Sequence, residues 1–126
     1  MTITMFVKSS GELPKRIGEV VAQAAAGEFR AAIKTTYKPN DTIPSIWIVV
    51  TSDYLVLCNT HRTRGLWRKF AAADTQRLKL GMTSTGQRYF ELEDIDGRRL
   101  FLPLSQAVSS AEIDEFMAEY QRKKRT

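Results

Sequence analysis

The sequence predicts an α+β fold in which an N-terminal helix, about seven short antiparallel strands and a C-terminal amphipathic helix form one domain over residues 1–126. Apolar residues recur with a helical period at both ends of the chain and with a period of two between them. Hairpin turns separate the short β-branched and aromatic runs. Because open strand edges must be covered, we expect the sheet to curl into a barrel or an orthogonal sandwich, with the C-terminal helix plugging its open end.

The N-terminal helix is predicted over residues 14–26. Pro14 suits a first helical turn, and Gly27 suits the position after the last turn. The apolar residues between them fall on a single stripe at helical spacing: Ile17, Val20, Val21 and Ala24.

The sheet is predicted over about residues 29–104. Phe29 to Tyr37 alternates apolar and polar side chains, as a half-buried strand does. Ser52-Asp53 separates two apolar runs and indicates a tight hairpin, and Asp96-Gly97 indicates another. The remaining strands are expected at 66–72, 77–80, 88–93 and 98–102.

The C-terminal helix is predicted over residues 109–123. Ser109 followed by Glu112 forms a capping box. Four large apolar residues then lie on one stripe, which should pack on the sheet: Ile113, Phe116, Met117 and Tyr120.

Composition limits the function classes. No apolar run is long enough to cross a bilayer, which excludes a transmembrane segment. The single cysteine, Cys58, fits a reducing compartment, so we expect a cytoplasmic protein. With one histidine and no phosphate-binding loop, neither a metal nor a small-molecule cofactor is expected. The net charge of +5 favours an anionic partner.

The densest cationic stretch before the C-terminus is residues 60–69, which we call the basic segment. Its guanidinium groups could hold carboxylate or phosphate, and Trp67 could enter an interface or pack in the core. Strand alternation would place Arg68 on the face opposite Trp67 and Lys69, so binding should depend mainly on Arg62 and Arg64. The candidate binding residues are His61, Arg62, Arg64, Trp67, Arg68 and Lys69.

Three other groups have simpler structural explanations. Glu91 and Glu93 should face water on a strand, and Asp96 is explained by its turn. Cys58 lies in an apolar strand, where a thiol is usually inert, so a dyad with His61 is not favoured. The basic run from Arg122 to Arg125 complements the C-terminal end of its helix.

The run Trp47-Ile-Val-Val-Thr-Ser-Asp-Tyr-Leu-Val-Leu57 resembles the first hairpin of bacterial pleckstrin-homology-like (PH-like) and GRAM-like domains. The resemblance continues through Leu66-Trp67, the segment 73–78, Phe90-Glu91-Leu92 and the strand after Asp96-Gly97, and it ends in the helix that contains Phe116. It implies a non-enzymatic binding scaffold. The first hairpin has no dense Lys/Arg signature, so lipid binding does not carry over with the resemblance.

These observations favour a binding module over an enzyme. An acidic protein surface is the favoured partner, because aromatic–basic interleaving of the kind that stacks nucleic-acid bases is limited to Trp67. Anionic lipid and nucleic acid are weaker alternatives. The chain could instead be an immunity protein that neutralises a bacterial toxin by direct binding, or a peripheral adaptor on a membrane surface.

Overall fold

A computed structural model describes residues 5–24, 27–71, 78–93 and 97–122. Ten main elements lie in these ranges, together with a short 3-10 helix at Ser10–Glu12 between the first strand and the first helix. The helices are α1 (Lys15–Ala24) and α2 (Ser110–Arg122). The strands are β1 (Phe6–Val7), β2 (Phe29–Lys34), β3 (Trp47–Thr51), β4 (Tyr54–Cys58), β5 (Leu66–Ala71), β6 (Leu78–Met82), β7 (Arg88–Glu93) and β8 (Arg99–Pro103).

The described strands form two antiparallel sheets, with the orders β1-β2-β3-β4-β5 and β6-β7-β8. The α+β class and the antiparallel hairpins are therefore confirmed, and the described strands do not close into a barrel, which was one of the two arrangements expected. One backbone hydrogen bond, from the Thr36 N–H to the Pro103 carbonyl (2.8 Å), connects the end of β2 to the end of β8. The two sheets thus meet at a corner without a continuous ladder between them in the described part of the chain.

Helix α2 accounts for the open geometry. Its apolar stripe packs into the main core, where the ring centroids of Phe116 and Phe90 lie 5.5 Å apart. At the edge of the small sheet, the Tyr120 hydroxyl accepts a hydrogen bond from the Leu78 N–H (3.2 Å). A helical side chain thereby satisfies a strand group that a closing strand would have bonded in a barrel. The plugging role expected for this helix fits these contacts.

The five-stranded sheet is covered on both faces. One face joins the main core beneath α2, through Ile33, Ile48 and Leu57. The other packs against α1 in a second cluster that includes Ile17, Val20, Val21, Trp47, Val49 and Val56. The predicted half-buried alternation of the first long strand is therefore wrong, because both Ala31 and Ala32 are fully buried.

Two features predicted from neighbouring residues, a helix cap and a hairpin turn, are confirmed. Ser109 and Glu112 form the reciprocal capping box, with bonds of 2.9 and 3.1 Å. The first hairpin turns at Ser52-Asp53, as predicted. The strand expected to reach Tyr37 ends at Lys34, and the two-residue strand β1 was not predicted.

The three-stranded sheet buries only one face. Phe90, Leu92 and Leu102 point into the main core as expected, and Glu93 is exposed. Three large apolar side chains of this sheet are nevertheless exposed, namely Leu80, Met82 and Phe101. Within the described ranges, no helix is long and apolar enough to span a membrane.

Candidate binding surface

The turn at the start of the basic segment is built around a buried asparagine. Asn59 is 1% exposed, and its Nδ2 donates to the Arg64 carbonyl (3.0 Å) while its Oδ1 accepts from the His61 N–H (2.7 Å). The backbone N–H of Asn59 also donates to the Gly65 carbonyl (2.8 Å). One side chain therefore fixes both ends of the turn, which gives Arg62 and Arg64 a defined backbone position.

His61 stabilises the same turn from within. Its Nδ1 accepts hydrogen bonds from the backbone N–H groups of Thr63 (3.1 Å) and Arg64 (3.0 Å). The structure thus gives His61, expected at the edge of the binding surface, a turn-forming role.

Helix α1 anchors the basic segment on its other side. The Arg16 Nε donates to the His61 carbonyl (2.8 Å), and the Lys69 Nζ donates to the Ala24 carbonyl (2.8 Å). The ammonium group of Lys69 also lies 4.8 Å from the centroid of the Tyr54 ring. Gly65 approaches α1 so closely that a Cβ atom there would lie 2.3 Å from the Val20 Cγ2. Lys69, which was expected in the binding surface, is exposed, but its ammonium group already contacts the Ala24 carbonyl and the Tyr54 ring.

A β-bulge in β5 makes the side-chain directions differ from those predicted by strict alternation. Cys58 pairs with Leu66, whereas Leu57 pairs with Arg68, so the register shifts between them. Because paired residues share a face, Arg68 lies on the main-core side with Leu57 and Trp67. The predicted placement of Arg68 opposite Trp67 is therefore wrong.

Trp67 lies in a stack of three side chains. Its ring is half-buried against the main core, 5.5 Å from the Tyr37 ring centroid. The Arg68 Cζ lies over the Trp67 ring, 5.1 Å from its centroid. Arg68 is exposed, and the cation–π contact with Trp67 gives its guanidinium group a preferred orientation.

Arg62 and Arg64 project from the fixed turn into solvent. In the ranges that the structure describes, neither forms an ion pair with a carboxylate, whereas Arg16, Arg99 and Arg122 each have one within 4.0 Å. Free guanidinium groups on a rigid turn can bind carboxylate or phosphate oxygens bidentately. Arg62 and Arg64 lie in the turn between β4 and β5, and Arg68 follows in β5 near the same end of the five-stranded sheet. We call these three exposed arginines the cationic surface.

The other residues considered from the sequence lie apart from this surface. Cys58 is buried, and burial raises the pKa of its thiol to about 12, which leaves it protonated and unreactive. Glu91 pairs with Arg99 (3.5 Å) on the other sheet, while Asp94 and Asp96 lie outside the described residues. No cluster of potential metal ligands occurs among the residues described. Arg122 pairs with Glu119, and residues 123–125 lie outside the description.

Sequence reasoning missed the residues that hold the turn. Asn59 directly follows an apolar run, and asparagine commonly bonds nearby backbone in turns, so its residue type was an available signal. Arg16 is separated from His61 by 45 positions, and no local pattern connects them.

No family model matches the chain, and no curated protein or solved structure is similar to it.

Proposed function

We propose that this chain is a PH-like binding module of the cytoplasm that recognises an acidic protein surface through Arg62, Arg64 and Arg68. One observation carries the proposal. Two arginines without a carboxylate partner among the described residues project from a turn that a buried asparagine and α1 hold in place. Fixing the loop before binding reduces the conformational entropy that association would otherwise cost.

The element order supports the PH-like part of the proposal. Strands β2 to β5 form consecutive antiparallel pairs, β6 to β8 form a second set, and α2 follows them. This is the order that the sequence resemblance implies. Strand β1 and helix α1 are additions before it, and α1 gives the basic segment its anchor.

A protein partner is favoured over nucleic acid by the position of Trp67. Its ring is half-buried and already contacts the Tyr37 ring and the Arg68 guanidinium group, so it is less available for stacking on a base. Arginine forks match carboxylate groups in geometry as well as charge. An acidic protein face supplies several carboxylates at fixed positions, which suits a rigid turn.

The test is a comparative capture from cells that express the chain. The bait is the wild type, the double variant Arg62→Glu/Arg64→Glu, or the control Lys38→Glu/Arg98→Glu, which makes the same charge change at other exposed positions. We expect an acidic protein to be captured by the wild type and the control and lost with the double variant. Equal capture by all three baits would refute the proposed surface.

Two further outcomes separate the alternatives. Binding to phosphatidylserine vesicles, lost in the double variant and accompanied by no protein capture, would replace the proposal with a membrane-surface adaptor. A captured enzyme whose turnover the wild type blocks and the double variant does not would assign the acidic partner as a toxin. The chain would then be an immunity protein.

A further inference from the structure

The open edge of the three-stranded sheet lies beside helix α2, with a groove of about 280 Å³ between them. Leu80 and Met82 of β6 form one wall, and Ile113 and Asp114 of α2 form the other. Leu80 is 44% exposed and Met82 is 63% exposed. Adjacent large apolar side chains on an open strand edge are uncommon, because such an edge pairs readily with another chain.

The hydrogen-bond pattern shows which backbone groups of β6 are available. The Thr83 N–H donates to the Gln87 carbonyl (2.8 Å), so Gly81 and Lys79, at alternate positions, also point toward β7. Leu78, Leu80 and Met82 therefore direct their N–H and carbonyl groups toward the open edge. The bond from the Leu78 N–H to the Tyr120 hydroxyl agrees with this assignment.

The remaining edge groups have no protein partner in the described part of the chain. The backbone groups of Leu80 and Met82 form no hydrogen bond with any residue of the described ranges outside their own strand pairing. Their side chains lie on the α2 side, since Leu80 pairs with the buried Phe90. A strand added here would thus form a ladder and bury apolar side chains against α2 at the same time.

The charges of the groove indicate the chemistry of the occupant. The Arg88 guanidinium group donates hydrogen bonds to the Ser105 and Val108 carbonyls, which hold it at the loop before α2. Asp114 is exposed and has no basic partner among the described residues. A side chain that enters the groove next to it gains from a positive charge.

We propose that this groove binds an extended peptide segment of a second protein as a fourth antiparallel strand on β6. Alternate side chains of the peptide face α2. Aliphatic residues in these positions cover Leu80 and Met82, and a lysine or arginine in the same series pairs with Asp114. The site is separate from the basic segment and does not depend on the function proposed for it. A second copy of this chain is a less suitable occupant, because the residues of its own β6 that share the α2-side face, Leu78, Leu80 and Met82, include no cation to pair with Asp114.

The probes are two fluorescein-labelled peptides in which threonine alternates with valine. In one peptide lysine replaces the valine nearest the N-terminus, and in the other it replaces the valine nearest the C-terminus. We expect saturable binding of one of the two peptides, measured by fluorescence anisotropy. N-methylation of the peptide amide opposite Leu80 should weaken binding about tenfold or more, because it removes a ladder donor.

Protein variants test the side-chain part. Leu80→Lys should weaken binding about tenfold, while Phe101→Lys, on the outer face of the same sheet, should leave it unchanged. Asp114→Asn should weaken binding about two- to fivefold, with the difference lost at high salt. Arg62→Glu/Arg64→Glu should have no effect on this peptide.

Hydrogen exchange provides a readout that does not depend on variants. Peptide binding should slow amide exchange at Leu80 and Met82 and leave Lys79 and Gly81, already paired with β7, unchanged. Absence of binding by both peptides, equal binding of the N-methylated peptide, or protection elsewhere would overturn the proposal. Sedimentation of the free chain as a dimer that Leu80→Lys dissociates would also overturn it, in favour of a second copy as occupant.

Discussion

The two sheets differ in how many of their faces are covered. All five residues of β3 are buried, because α1 lies on one side of the large sheet and the main core on the other. In β6 only Leu78 is buried. A sheet covered on both faces can hold a projecting turn rigidly, whereas a sheet covered on one face leaves backbone and apolar groups available for pairing. The two proposed sites follow this difference, with charge recognition at the large sheet and strand addition at the small one.

The largest difference should appear when an aromatic side chain is removed from each environment. Phe116 is fully buried against Phe90, and Phe116→Ala should lower the free energy of unfolding by about 3–5 kcal/mol. Phe101 is 51% exposed on the outer face of the small sheet, and Phe101→Ala should cost less than about 1 kcal/mol. Urea unfolding of both variants checks the pair. Similar losses would show that α2 does not plug the core.

Two glycines test how closely the basic segment approaches α1. A Cβ atom at Gly65 would meet the Val20 side chain, so Gly65→Ala should cost about 1–3 kcal/mol through displacement of the turn. Gly18 has open space around it within α1, so Gly18→Ala should stabilise by about 0.5–1 kcal/mol. Thermal melts should therefore move in opposite directions. A stable Gly65→Ala variant would mean that the turn is not packed on the helix.

Because Cys58 is buried in the large sheet, the free energy of unfolding should depend on pH in the alkaline range. Burial raises the pKa of the Cys58 thiol from 9.0 to about 12. Between these values the unfolded chain releases a proton that the folded chain retains, so the free energy of unfolding falls as pH rises. The expected loss is about 1.4 kcal/mol between pH 8 and pH 10.

Burial also raises the pKa of the Tyr120 hydroxyl, which adds a loss in the same direction above its ordinary value of 10.0. Urea unfolding of the wild type and of Cys58→Ala at pH 8, 9 and 10 isolates the thiol. The variant should show a flatter profile. Identical slopes would place the thiol in contact with water.

The features that the sequence predicted well are those determined by neighbouring residues. The capping box at Ser109 and the turn at Ser52-Asp53 depend on contacts a few positions apart, and both were confirmed. Burial of β2 on both faces was not predicted, because its second cover, α1, is chosen by tertiary packing. The unbroken apolar run of Trp47 to Val50 contained a signal for two-sided burial.

The candidate site shows the same contrast between features set by neighbouring residues and features set by tertiary packing. The exposure of Arg62 and Arg64 could be expected from their position in a polar turn. The direction of Arg68 could not, because it depends on a bulge opposite β4 that only the pairing register defines. The turn-forming role of His61 depends on hydrogen bonds from the Thr63 and Arg64 backbone, which composition alone does not reveal.

The smallest effect on stability is expected for the arginines of the basic segment. Arg62→Glu/Arg64→Glu should leave the melting temperature nearly unchanged, because both side chains are exposed and no described carboxylate pairs with them. Circular dichroism melts of the double variant and of Lys38→Glu/Arg98→Glu check this. A large loss in the double variant alone would show that these charges maintain the turn.

The association rate of the captured acidic partner tests the central claim most directly. Measured by stopped flow at low salt, the rate constant of Arg62→Glu/Arg64→Glu should fall by about tenfold or more relative to the wild type. The control Lys38→Glu/Arg98→Glu should stay much closer to the wild type, and the difference should shrink as salt screens the charges. A double variant that associates at the wild-type rate would contradict the assignment of the basic segment as the recognition surface.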